Sequence, residues 1–327
     1  MRTPPISNHP GALAMCLACA AAIVGCSDSG DEGPDAGPAA TDVQLPDNWY
    51  PESLHAGADG TVYVGSFASG RIARFVPGDQ EATVLVADAV APNMAGVLVD
   101  DGTSTILACT FDLSQGVGGA PSVVHRFSTV DGSHVAAYPF TADSLCNDMT
   151  FDDAGNIFIA DSLGSIYRLP RDAEDGTSPT VWLTDPILAP EAPAVIGADG
   201  IAFDGHGALF VNTISGNRLL RISIEDDGSA GEIDEIEVTP GLDEPDGMRA
   251  IDADTLVVAE APAGRVSRID VTGDTATLTA LDDQLDQPAS VVLVDDALWV
   301  SEGQIGRFVA GQPPNTPFLV RRVPFAP

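Results

Sequence analysis

The 327 residues carry 48 Asp plus Glu against 14 basic residues, every one of them Arg, for a formal charge of −34. A surface of that sign repels phosphate backbones, which excludes nucleic-acid binding. The chain has 33 Gly, 25 Pro and many short Val/Ile/Leu/Phe runs, with no long 3.6-period face. That pattern excludes a helical bundle and predicts an all-β protein with many tight turns.

In chain order the first element is a leader over residues 1–25. Arg2 supplies a positive start and Gly11 to Val24 an apolar stretch too short for a stable membrane span. Its end, Ile23-Val24-Gly25-Cys26, resembles the lipobox of bacterial lipoproteins, which predicts lipidation of Cys26 and export to the cell envelope, periplasmic or on the outer surface. Residues 26–46 read as an acidic, Gly/Pro-rich disordered tether, and 47–327 as the folded body, touching the membrane only through the anchor. Of the five Cys, Cys109 and Cys146 remain in the body. In an oxidising compartment they are either a disulfide joining neighbouring repeats or two separate buried thiols.

The body repeats one pattern: a polar entry, an alternating apolar strand, an acidic Gly turn, a second apolar strand, then a third ending in Arg-apolar. Copies start near residues 52, 95, 147, 199, 246 and 288, the last running through Gln304-Ile305-Gly306-Arg307-Phe308. Intervals of 42 to 52 residues fit four short strands each. A four-stranded sheet cannot bury both faces alone, so the repeat predicts a six-bladed β-propeller with four-stranded blades around a central channel. Phe318 to Phe325 and Val43 to Leu45 are the candidates to close the ring.

Aligned on the turn, Glu52, Asn147, Asp199 and Asp246 occupy one position, eight residues before Gly60, Gly155, Gly207 and Asp254. That position opens the innermost strand, so four oxygen-bearing side chains converge near the axis. Three carboxylates there with no aligned Arg are costly without a cation. All-oxygen ligands favour one hard divalent ion, Ca²⁺ first, then Mg²⁺, Mn²⁺ or Zn²⁺.

Pro51-Glu52, Asn147-Asp148, Asp199-Gly200 and above all Pro245-Asp246-Gly247-Met248 resemble the SMP-30/gluconolactonase family of six-bladed propeller lactonases. The resemblance implies metal-dependent hydrolysis of a small-molecule lactone or ester by a monomer. It implies Glu52 and Asp246 as metal ligands, Asp199 where the family has an Asn ligand, and Asn147 as a metal or substrate contact. Asp246 would be the general base, with Asp148 as a reserve. Leu145 stands where sugar-lactone hydrolases often place a substrate-gripping Arg. Ser66, Ser162 and Ser301 follow inner strands and read as solvated turn residues, and no His sits in a nucleophile elbow. The alternative is a non-catalytic propeller of the NHL or strictosidine-synthase-like kind that binds a ligand or protein partner.

Overall fold

The structure is a computed structural model that describes residues 41–326. The leader, Cys26 and the tether up to residue 40 lie outside the described residues. Among the described residues no helix is long and apolar enough to cross a membrane.

A two-residue strand, β1 (Val43–Gln44), precedes the first meander, β2 to β5 (Pro51–Ala56, Val62–Ser66, Ile72–Phe75, Thr83–Val86). Next come β6 to β9 (Asn93–Asp100, Thr105–Phe111, Val123–Ser128, His134–Pro139) and β10 to β13 (Cys146–Phe151, Asn156–Asp161, Ser165–Pro170, Thr180–Thr184). Strands β14 to β17 are Ala198–Phe203, Ala208–Thr213, Arg218–Ile224 and Ala230–Thr239, and β18 to β21 are Pro245–Ala250, Thr255–Glu260, Arg265–Thr272 and Thr275–Asp282. The chain ends with β22 to β24 (Pro288–Val294, Ala297–Glu302, Leu319–Pro324), interrupted by one short helix, α1 (Ile305–Val309).

These strands form four four-stranded sheets and one of eight strands. The larger sheet is two antiparallel meanders, β14–β17 and β18–β21, joined where Glu237–Thr239 pairs in parallel with Thr275–Thr277. The strand that opens each meander contacts the next opening strand, β2 to β6 to β10 to β14 to β18 to β22, and β22 returns to β2, so the opening strands make a closed ring.

Burial follows from that ring. Second strands such as Val62–Ser66, Thr105–Phe111, Ala208–Thr213 and Ala297–Glu302 are buried at every residue, because a sheet packs on each of their faces. Fourth strands such as His134–Pro139 and Thr180–Thr184 are largely exposed at the rim. The hairpins between first and second strands turn through Gly60, Gly155 and Gly207, all at positive φ, which explains the acidic Gly turn of the repeat.

Closure corrects two sequence expectations. The fourth sheet position beside β24 is filled by Val43–Gln44, so order begins within the 26–46 segment read as tether. The reason is packing: Val43 and Leu45 are buried beside Val320 and Phe318. The segment Gln304 to Phe308, read as a third strand, is instead the cap and body of α1, and the third strand is Leu319–Pro324. The Gln304 amide bonds both the N–H and the C=O of Asn315 and ties off the intervening loop.

Cys109 on β7 and Cys146 on β10 are joined by a disulfide, Cα atoms 5.4 Å apart, linking two adjacent meanders one residue from Asn147.

Candidate functional site

Each opening strand carries a β-bulge at its second or third residue. In β2, Pro51 pairs with Ser66 and Leu54 with Val64, so Glu52 and Ser53 oppose Gly65 alone. The same slip places Asn147 and Asp148 opposite Ala160, Asp199 and Gly200 opposite Asn212, Asp246 and Gly247 opposite Ala259, and Ala95 and Gly96 opposite Cys109. In β22 the extra residue is Ala289. A bulge re-aims a side chain out of the alternating pleat. Here Glu52, Asn147, Asp199, Asp246 and Ala289, with Gly96 from β6, line a narrow void at the centre of the ring. The position that the sequence aligned is thus a bulge position: four oxygen-bearing residues and two alanines.

Two side chains each tie a bulge of their own meander to one of the next. Asn212 accepts from the N–H of Gly200 (3.0 Å) and donates to the C=O of Asp246 (2.7 Å). Ser301 Oγ donates to the C=O of Glu52 (3.0 Å) and accepts from the N–H of Ser290 (2.9 Å). Backbones approach so closely that a Cβ on Gly96 would lie 2.2 Å from the Asn147 carbonyl oxygen, and one on Gly200 2.7 Å from that of Asp246. Only glycine fits at either place.

The side chains of Glu52, Asn147, Asp199 and Asp246 meet at that void. Asn147 Nδ2 donates to Asp199 Oδ2 and to Ser162 Oγ (3.1 Å). Asp246 accepts from the N–H of Gly247 at 2.9 Å. Glu52 Oε2 and Asp199 Oδ1 are buried and have no hydrogen-bond partner. Burial, reinforced by the charges of Asp246 and Asp148 and, for Asp199, of Glu52 as well, drives the pKa of Glu52 and of Asp199 well above the ordinary carboxylate range. Burial raises Asp246 to about 7 against the pull of the Asp199 and Gly247 hydrogen bonds.

Asp148 is buried in an ion pair with Arg249, whose Nη1 lies 2.5 Å from Oδ2, a partner the repeat alignment did not supply. Arg249 also donates to the C=O of Leu54 at 3.2 Å. The alignment overlooked this arginine because it sits three residues past Asp246 rather than at the shared position; its place in Asp246-Gly247-Met248-Arg249, on the same strand, was the available signal. The serines need a correction. Ser66, Ser162 and Ser301 are fully buried and hold backbone or Asn147, because second-strand ends are packed between meanders.

Above the carboxylates lies a cavity of about 210 Å³. Its floor is Glu52, Asn147, Asp199 and Asp246; its walls include Phe67, Phe111, Leu145 and Ile214, with Ile305 and Val309 from α1. Leu145 is fixed by its N–H, which donates to Asp161 Oδ1 at 2.7 Å.

Whether these residues suit a divalent cation is decided by their oxygens. Among the described residues no three His, Cys, Asp or Glu side chains stand in a finished metal cage. Yet two orphaned carboxylate oxygens and a third carboxylate around one void are hard oxygen donors with an excess of negative charge, a chemistry that suits a divalent cation. The fit has a measurable consequence. A carboxyl with its folded pKa raised above the unfolded value near ~3.9 binds protons more tightly in the native state, so its stabilising contribution is full below about pH 4 and is lost as pH rises through the folded pKa. For Asp246 that loss sets in above about pH 4 and continues through about pH 7. The chelated protein should therefore melt at lower temperature at pH 8 than at pH 5. Ca²⁺ should restore more at pH 8, and Asp199→Asn should shrink the pH dependence. A chelated melt independent of pH in both proteins would contradict the electrostatics.

Opening strands in a closed ring, each leading a meander that runs outward, with polar groups aimed into the axial channel, define a β-propeller. The solved structures similar to it agree. A catalytically inactive variant of virginiamycin B lyase from Staphylococcus aureus, solved with quinupristin, is 17% identical at TM-score 0.58, covering 86% of this chain and 82% of that one. Luciferin-regenerating enzyme is 15% identical at TM-score 0.61, covering 87% and 92%. The calcium-binding protein regucalcin from Agrobacterium tumefaciens is 16% identical at TM-score 0.57, covering 88% and 95%. No protein-family model and no curated protein matches the chain. At these identities the shared feature is the propeller fold.

Proposed function

We propose that this chain is a six-bladed propeller, the eight-stranded sheet counting as two blades, and a divalent-metal-dependent hydrolase of lactones or related esters. The observation that carries the reading is the bulge ring, where Glu52, Asn147, Asp199 and Asp246 converge with two carboxylate oxygens unpartnered at the floor of a cavity of about 210 Å³. Glu52, Asp199, Asp246 and the Asn147 amide would hold the ion, which when bound supplies Lewis acidity at the carbonyl oxygen. Asp246 takes the proton from the attacking water as the water oxygen bonds to the acyl carbon. The ring C–O bond then breaks, and the proton passes to the departing alkoxide, giving a hydroxy acid. Asn147, held by Ser162, orients the acyl group. The calcium binding of regucalcin, a protein of the same fold, supports the choice of ion.

The second reading, a ligand-binding propeller without turnover, draws on the fact that the carboxylates do not stand as a finished cage. The full-length protein assayed on a panel of lactones and aryl esters, after EDTA and after added Ca²⁺ or Mn²⁺, separates the two. Chelator-sensitive turnover supports the hydrolase; Ca²⁺ binding with no turnover across the panel supports the binding module.

We propose further that Cys26 is the lipidated residue and that the propeller works in the cell envelope as a monomer. Labelled fatty acid should enter the wild type and not Cys26→Ala; incorporation persisting in the variant would refute the anchor.

A further inference from the structure

The cavity's polarity is divided more sharply than hydrolysis requires. Twelve of its sixteen lining residues are apolar, and the four polar ones are all on the floor. The walls hold no Arg, His, Ser or Thr side chain. Polarity of this kind discriminates strongly between ligands, because a hydroxyl moved from water to a wall with no partner loses its hydrogen bonds, at about tenfold in affinity each, whereas a methylene gains from the same wall.

The mouth adds an independent observation. Among the described residues, eight large apolar side chains are exposed, and three of them, Val117, Val195 and Val309, also line this cavity. They come from three separate segments, the loop after β7, the loop before β14, and α1, and Val309 is 71% exposed. Apolar surface therefore continues from the walls out onto the rim, where scattered exposure would not place it. The cavity itself is smaller than the ~300–1,000 Å³ of a typical ligand pocket. A ligand filling it extends outward along that rim.

We infer that the site takes a neutral, lipophilic ester or lactone, with one polar acyl head on the carboxylate floor and an alkyl or aryl body along Leu145, Ile214, Val195 and Val309. This rests on the hydrolase reading for the word ester, while the apolar class rests on the cavity alone. Polyhydroxy lactones are disfavoured, since every ring hydroxyl beyond the head meets Phe67, Phe111, Leu145 or Ile214 rather than a donor or acceptor.

The test uses the full-length protein, Ca²⁺-loaded, with γ-lactones bearing linear alkyl chains of increasing length, a polyhydroxy γ-lactone, and the matching alkyl γ-lactams as hydrolysis-resistant binding probes. The expected result is a kcat/KM that rises about two- to fourfold per added methylene, with the polyhydroxy lactone about 100-fold or more below the alkyl series. Lactam Kd values should fall in parallel, and Val195→Ser with Val309→Ser should flatten the slope for the longest chains. Chain-length dependence in lactam binding with no lactone turnover upholds the apolar ligand class and overturns the hydrolase reading. A flat series in both turnover and binding, no lactam binding at all, or preference for the polyhydroxy lactone overturns the inference.

Discussion

Asp246→Asn is expected to lower kcat/KM for an accepted ester by about 10²–10⁴-fold, the range associated with loss of a positioned general base. The substitution keeps the shape of the side chain and an oxygen for the void, so the bulge at Asp246-Gly247, held by Asn212 on its carbonyl oxygen, should persist. Removing one of three mutually repelling carboxylates also relieves the metal-free fold, which should melt no lower than wild type at pH 8. The pH profile supplies a readout that a folding defect does not imitate. A base must be deprotonated, so wild-type kcat/KM should rise with pH along an acid limb. In the metal-free protein Asp246 titrates at about 7. A bound divalent cation favours the carboxylate and moves that limb lower as the site is loaded. The variant should lack the limb. A variant with near wild-type kcat/KM and an unchanged acid limb would remove Asp246 from the mechanism.

The convergence of Glu52, Asn147, Asp199 and Asp246 was legible in the sequence because the repeat itself carries the information. Residues at equal distances before a Gly turn occupy equal places in successive meanders. The strand alternation at Val62 to Val64 and Leu209 to Val211 was legible for the same local reason. What was hidden depends on contacts between repeats. The Arg249–Asp148 pair joins residues 101 apart, and no spacing rule within one copy predicts it. The serines looked like turn residues because Ser and Gly neighbours usually mark solvent; their burial comes from the adjacent sheet, which a single repeat does not contain. The last copy misled for another reason. Arg307-Phe308 matches the Arg-apolar strand ending, but the true third strand is displaced by the α1 loop and recruited from Leu319–Pro324, where β1 can pair with it. The apolar walls were hinted at by Leu145 alone, since Val117, Val195 and Val309 lie outside the repeated pattern.

Arg249→Met should cost about 3–5 kcal/mol of stability, the penalty for leaving a buried charge without its partner. Arg249 lies on β18, its partner Asp148 on β10, and its other acceptor, the Leu54 carbonyl, on β2. One guanidinium therefore ties three alternate members of the ring beneath the carboxylate floor. Its loss leaves the Asp148 carboxylate desolvated among Glu52, Asp199 and Asp246, and removes a charge that lowers the pKa of Glu52. The double variant Arg249→Met with Asp148→Leu separates these effects. Replacing both members of a buried pair by apolar residues is often neutral or stabilising, so the double should recover most of the loss and leave a large coupling energy in the mutant cycle. Because the single variant concentrates negative charge in the channel, Ca²⁺ should raise its melting temperature more than it raises that of wild type. Equal denaturation midpoints for wild type and Arg249→Met would show that the guanidinium does not hold the ring. Additive losses in the double would show that it acts by packing alone, whereas recovery assigns it to the charge balance beneath the site.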